Sequence, residues 1–394
     1  MKPKFARRMS RFQESDLTPI LRLAANPGII SFAGGLPAPE LFPVEELKHI
    51  SSRVLTDQGK RALQYSSSEG HLPLREKIAA RSNQNFKTDL KASNVAITTG
   101  SQQSLDILGK MLLDEGDCVL CESPTYLAAL SAFNACLPEY REVETDDEGM
   151  VSADLEKALA SEKRVKIVYV IPDFQNPTGK TWSLQRRKHF MDIVSKYDVL
   201  VIEDNPYGEL RFEGEILPSL KSLDKRGQVV MLGTFSKIFC PGLRVGWICG
   251  EEDLLASFGN LKQAADLHTS TLSQYEIDAY LSEYDIEEHI KKLIALYRER
   301  RDIMLRSMEK AFPKEVTFTR PAGGLFTWVT LPERVNARDL FLKALERKVA
   351  FVPGGAFFPN GGHENTLRLN YSNMPPELIE EGIASLGEAL REFL

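Results

Sequence analysis

The chain has 394 residues, 43% hydrophobic and 26% charged, which is ordinary globular usage and excludes disordered, collagen-like and coiled-coil classes as descriptions of the whole. Its 49 Lys and Arg against 55 Asp and Glu leave a net charge of −6, which argues against a nucleic-acid partner, since such proteins usually carry a basic stripe. No apolar run reaches the roughly 18 residues a spanning helix needs, so no membrane partner is expected.

In chain order, MKPKFARRMSRFQES is basic but has no apolar stretch behind it, so no secretory signal is expected. Residues 1–45 read as an N-terminal arm, with a short helical pattern at Leu17, Ile20 and Leu21 and a Gly/Pro-rich loop, SFAGGLPAPELFP. Ser101 to Leu113 has apolar residues at helical spacing. Apolar runs without polar alternation recur at VAIT (95–98), CVLC (118–121), KIVYVI (166–171), VLVIE (199–203), VVMLG (229–233) and VGWICG (245–250). Such runs suit strands buried on both faces, and the helical patterns between them predict an α/β fold with a mostly parallel sheet flanked by helices. Cys118 and Cys121 lie three apart on a strand, face opposite ways and should not bridge. Five sparse cysteines point to a reducing cytoplasmic compartment, and Cys240 is the one whose position, three past Lys237, sets it apart. After Gly250 the pattern turns helical; the basic face Lys291, Lys292, Arg298, Arg300 and Arg301 reads as solvated. From about 315 the chain alternates strand and helix as a smaller α+β unit. The expected division is 1–45 arm and lid, 46–290 large domain, and 291–394 interdomain helix with small domain.

Each strand is followed by a short polar loop: TGSQQ, ESPTY, PDFQNPTG, DNPYG and TFSK. Ligands of open α/β sheets bind outside the carboxyl ends of the strands, so five such loops converge on one site. Gly100, Ser101 and Gln102 open a helix, whose free N–H groups and dipole favour a phosphate. Thr234 and Ser236 add hydroxyls and Arg244 a guanidinium. Asp204 is a carboxylate at the end of a buried strand. Lys237 sits among Phe235, Ile238 and Phe239, where desolvation makes an amine nucleophilic. Singly, these features have plainer readings: a surface lysine, a helix cap, a turn. Their succession at consecutive strand ends matches what pyridoxal 5′-phosphate needs: an anchor, a pyridinium partner and a Schiff-base amine. The six histidines show no paired metal spacing, and GxGxxG is absent.

The motifs TTGSQQ, ESPTY, NPTGK, EDNPYGELRF, GTFSKIFCPGLRVGW and NTLRLNYS together resemble the class I/II aminotransferases of fold type I. SFAGGLPAPELFP and YSSSEGHLPLREKIA are similar to the subgroup holding 2-aminoadipate and kynurenine aminotransferases. The resemblance implies roles. Lys237 forms the Schiff base and shuttles the α-proton; Asp204 pairs with the pyridine nitrogen. Asn176 and Tyr207 bond the phenolic oxygen, and Tyr126 stacks on the ring. Gly100, Ser101, Gln102, Thr234, Ser236 and Arg244 hold the phosphate. Tyr65 reaches the phosphate from a neighbouring subunit, implying a homodimer. Arg368 clamps the substrate carboxylate, which the backbone at Gly34 and Gly35 approaches closely. An L-amino acid would give its amino group to a 2-oxo acid, with 2-oxoglutarate the family default.

Some acidic-substrate members carry an arginine on the N-terminal helix; the matching position here is Thr18, beside Pro19, with Arg22 one turn on. This favours aromatic or aliphatic donors over 2-aminoadipate. Two other readings share the resemblance. One is a pyridoxal-phosphate β-lyase of cysteine conjugates. The other is a non-catalytic cofactor-binding domain derived from GntR-type regulators, whose DNA-binding part has no room in this chain.

Overall fold

A computed structural model describes residues 4–12, 26 and 28–394. The helical pattern at Leu17–Leu21, with Thr18, Pro19 and Arg22, lies outside them. Fourteen strands are present among the described residues: β1 (Ile30–Ser31), β2 (Val95–Thr98), β3 (Cys118–Ser123), β4 (Glu139–Asp146), β5 (Gly149–Met150), β6 (Val165–Val170), β7 (Leu200–Asp204), β8 (Val229–Thr234), β9 (Gly246–Cys249), β10 (Thr317–Phe318), β11 (Phe326–Thr330), β12 (Val349–Ala350), β13 (Val352–Pro353) and β14 (Thr366–Asn370).

Eight of them form one sheet in the order β2-β9-β8-β7-β6-β3-β4-β5. Its middle, β8 through β4, is parallel. β9 runs antiparallel to both β2 and β8, and β5 is antiparallel to β4. The central strands are buried almost throughout, which is why they read as unbroken apolar runs. β4, EYREVETD, does not read that way: it lies near the sheet edge and buries only Val143. Strand order jumps between β6 and β3, so the loops after these two strands diverge and leave a crevice.

A second sheet, β10-β11-β14-β13, is antiparallel. The segment before the large sheet belongs with it in space: β1 pairs in parallel with β12, and Phe32 O accepts from Asn370 N at 2.9 Å. The arm's inner end is therefore fixed to the C-terminal unit.

The long helix Ile286–Ala311 corrects one expectation. Lys291 and Lys292 are solvated, but Arg300 and Arg301 are buried. Arg300 pairs with Glu40 and donates to Ser372 O at 2.6 Å; Arg301 pairs with Glu213 and donates to Pro321 O at 2.6 Å. A helix packed on two neighbours turns part of its charged face inward, and buried guanidinium groups must then find partners. All five cysteines are free thiols. Burial pushes Cys240 up to about 12, so it is no nucleophile at neutral pH. Among the described residues, no helix is long and apolar enough to cross a membrane, and no His, Cys, Asp and Glu cluster could hold a metal.

Candidate active site

The crevice at the strand-order switch is a cavity of about 140 Å³ lined by residues from every predicted loop. Gly100, Ser101, Gln102, Tyr126, Asn176, Asp204, Tyr207, Thr234, Ser236, Lys237 and Arg244 all line it, together with Ile171, Pro206 and Pro241, to which the sequence assigned no role.

One end of the cavity is a cup of donors. The helix Ser101–Leu112 starts there, and its first amides have no acceptor within the helix. Gly100 makes the turn at φ 76°, and a Cβ built on it would lie 2.6 Å from an Arg244 Nη2. Gly246 presses on the same turn: a Cβ there would meet the Gly100 carbonyl carbon at 2.8 Å. Thr234 Oγ1 donates to Ser236 Oγ at 2.9 Å, and Arg244 Nη1 reaches Ser236 Oγ at 3.4 Å. The Gln102 side chain is committed elsewhere, donating to Ala128 O at 2.8 Å, so its backbone is what it offers the cup.

Asp204 ends β7 on the cavity floor. Its Oδ2 accepts from Tyr169 Oη at 2.9 Å, while Oδ1, also buried, has no partner. Burial raises its pKa to about 6, with the Tyr169 hydrogen bond pulling the other way. Tyr126 and Tyr207, nearby, are also pushed above the usual phenol range by burial.

Lys237 Nζ donates to Gly35 O at 2.7 Å. Desolvation, then the charges of Arg368 and Arg244, lower its pKa to about 8. Arg368, on β14, donates to Asn176 Oδ1 at 2.8 Å and to Ala33 O at 2.6 Å. Its guanidinium lies over Phe326 at 4.2 Å and Phe357 at 5.1 Å, its Nε is buried without a partner, and burial lowers its pKa to about 10. Lys237 and Arg368 thus converge on the backbone of residues 33–35. At Gly34 a Cβ would crowd Leu36 and at Gly35 Phe326, at 3.1 and 3.0 Å. Tyr65 does not line the cavity; it is 78% exposed, its ring edge-on to His268.

Sequence reasoning missed Glu122 and Tyr169. Glu122 accepts from Ile171 N and Trp182 Nε1, both at 2.9 Å, and so ties the loop after β6 to the end of β3. Burial raises its pKa to about 7. The only signal for Tyr169 was a polar atom inside an apolar run, and for Glu122 an acid opening the loop ESPTY.

An unpartnered carboxylate oxygen, a donor cup that a Cβ at Gly100 would fill, and a buried amine, all lining one cavity, fit pyridoxal 5′-phosphate. The comparisons agree. The family model for aminotransferase class I and II matches residues 33–386. An aromatic-amino-acid aminotransferase of Thermococcus litoralis is 42% identical, over 98% of this chain and 94% of its own. A kynurenine aminotransferase of Pyrococcus horikoshii, solved with PMP, superposes at TM-score 0.95 with 39% identity, covering 99% of this chain and 97% of that one. An α-aminoadipate aminotransferase of Thermus thermophilus, holding N-(5′-phosphopyridoxyl)-L-leucine, superposes at 0.92 with 43% identity, covering 99% and 97%. The chain belongs to the class I and II aminotransferases. It is an aminotransferase that uses pyridoxal 5′-phosphate.

Proposed function

We propose that the enzyme transfers the amino group of an aromatic or large aliphatic L-amino acid to a 2-oxo acid, with 2-oxoglutarate the first acceptor to test. The observation that carries this reading is the convergence of Lys237 and Arg368 on residues 33–35. An α-carboxylate bonded to Arg368 brings its α-carbon toward a buried amine whose pKa is lowered to about 8. When bound, the cofactor supplies the electron sink that acidifies the α-hydrogen. The rest is the work of the chain. Arg368 and Asn176 orient the carboxylate. The cup from Gly100 to Arg244 holds the phosphate. Asp204 faces the ring nitrogen, Tyr207 and Asn176 the phenolic oxygen, and Tyr126 the ring face. Lys237 would take the α-proton and deliver it to C4′ of the cofactor, across the substrate's nitrogen from the α-carbon.

The donor class rests on charge. Arg244, the one arginine among the described residues that line the cavity, answers the phosphate, and Arg368, bonded to the lining residue Asn176, answers the α-carboxylate, which leaves no lining arginine for a side-chain carboxylate. Leu36, next to Gly35, is 57% exposed and gives an apolar side chain something to cover. The relatives' activities span aromatic amino acids, kynurenine and α-aminoadipate, so the family accommodates this choice.

The enzyme is further read as a cytoplasmic homodimer with a large domain over 46–290 and a small domain from 291–394 and the arm. The free cysteines support the compartment. Exposed Leu55, Leu63, Tyr65 and Leu72 support a second copy, whose cavity Tyr65 would complete. The test is a half-reaction screen: mix the loaded enzyme with each amino acid and follow loss of the visible absorbance. Aromatic and branched donors should discharge it fastest. Faster discharge by 2-aminoadipate overturns the donor class. Pyruvate released from a β-substituted donor without any acceptor overturns transamination in favour of β-elimination.

A further inference from the structure

Most of the polar side chains named so far line the cavity. Tyr169 does not: it is 1% exposed, on β6, behind the cavity. Its contacts are nevertheless specific. Tyr169 stands opposite Ile202 in the parallel β6–β7 register, so Asp204, two residues further on, lies on the same face. Two strand residues span roughly 6.6 Å, about the reach of a tyrosine from Cα to hydroxyl. The phenol ends 2.9 Å from Asp204 Oδ2. Phe133 fixes its ring from the side, at 5.9 Å and 78°.

A phenol at neutral pH carries one proton and gives it to an anionic acceptor. Burial raises the pKa of Tyr169, so it remains a donor. A donor on Oδ2 favours the carboxylate over the carboxylic acid and fixes the group's rotation. That rotation leaves the other oxygen, Oδ1, buried and unpartnered. We propose that Tyr169 is a positioning residue: it holds Asp204 as an anion with Oδ1 presented to the ring nitrogen of the cofactor, and so keeps that nitrogen protonated. The proposal rests on the reading of Asp204 as the ring-nitrogen partner. It asks nothing of Tyr169 toward substrate. Phenylalanine at 169 would fill the same space in the same strand, so packing does not require the hydroxyl.

The experiment uses full-length parent, Tyr169→Phe and Asp204→Asn, each loaded with cofactor carrying ¹⁵N in the ring, at one fixed pH. The parent should show the ¹⁵N shift of a protonated pyridine and Asp204→Asn that of an unprotonated one. Tyr169→Phe should move more than halfway to the Asp204→Asn value, with the amino-acid KM within about twofold of parent while kcat falls. A Tyr169→Phe shift equal to parent, with Asp204→Asn moved, overturns the proposal and leaves the Asp204 reading standing. Parent shifts in both variants overturn the Asp204 reading itself. A second measurement needs no cofactor. Infrared difference spectra of apo Tyr169→Phe minus parent should show a new protonated-carboxyl band near neutral pH that Asp204→Asn abolishes. No such band overturns the proposal.

Discussion

Gly100→Ala is the sharpest perturbation of the phosphate cup, because two separate costs are visible at that residue. The first is backbone. Gly100 sits at φ 76° and ψ 160°, a region essentially reserved for glycine, and holding another residue there costs about 1–3 kcal/mol. The second is contact. The new Cβ would lie 2.6 Å from an Arg244 Nη2. Arg244 is itself held at φ 54° after the turn Pro241–Leu243, so its backbone cannot easily yield and the guanidinium must swing out. A lost hydrogen bond to a charged group is worth about 1.5–3 kcal/mol, or roughly 10- to 150-fold in affinity. The two costs separate experimentally. Strain acts on the apoprotein, where 1–3 kcal/mol over a chain of this length lowers Tm by roughly 1–4 °C. The displaced arginine acts on the cofactor, whose Kd should rise about 10- to 150-fold in an absorbance titration. A cofactor Kd within threefold of parent would refute the reasoning, whatever happens to Tm.

Asp204→Asn should stabilise the apoprotein at pH 7.5. A carboxyl whose pKa rises on folding, here to about 6, takes up a proton as the chain folds, so its penalty is absent at low pH, grows as pH rises through the unfolded value, and is complete above about 6. The gain in Tm over parent should vanish in melts below about pH 4; an equal gain at every pH sinks this account. Arg368→Leu should raise the amino-acid KM by roughly 100-fold while cofactor Kd stays within a few-fold, since the guanidinium meets the carboxylate and not the phosphate cup; an unchanged KM rejects the clamp. In the apoprotein, borohydride trapping of pyridoxal at Lys237 should rise with pH through a midpoint of about 8, because only the free amine attacks. A midpoint near 10 would show the amine to be solvated.

Much of the fold was readable because burial on both faces leaves a plain mark. β2, β3, β6, β7, β8 and β9 were all apolar runs within a residue or two of their observed ends. β4 was not readable, because a strand next to the sheet edge with one buried side chain looks like a polar loop. The burial of Arg300 and Arg301 was hidden for the opposite reason: helix periodicity shows which face is charged, not what else packs on it. At the site, the loops after the strands named the cavity residues because phosphate and carboxylate chemistry needs particular side chains. The glycines at 34 and 35 marked a close backbone approach, but the Ala33 carbonyl that accepts from Arg368 had no such mark, since any residue carries a carbonyl. Tyr169 was concealed inside an apolar run, where a tyrosine passes for packing, and Glu122 at the head of a polar loop, where a strand-end acid passes for a turn.

Residues 30–35 hang from β12 and β14 at one end and from Lys237 at the other. In mechanical terms they are a tie rod between the two sheets, with the lysine as its detachable pin. Lys237 can grip the Gly35 carbonyl only while its nitrogen keeps hydrogens to spare. Capturing that nitrogen and slackening the rod are therefore one event, and linkage makes it reciprocal. Anything that stiffens the rod competes with whatever takes the lysine, and anything that takes the lysine releases the Gly35 carbonyl.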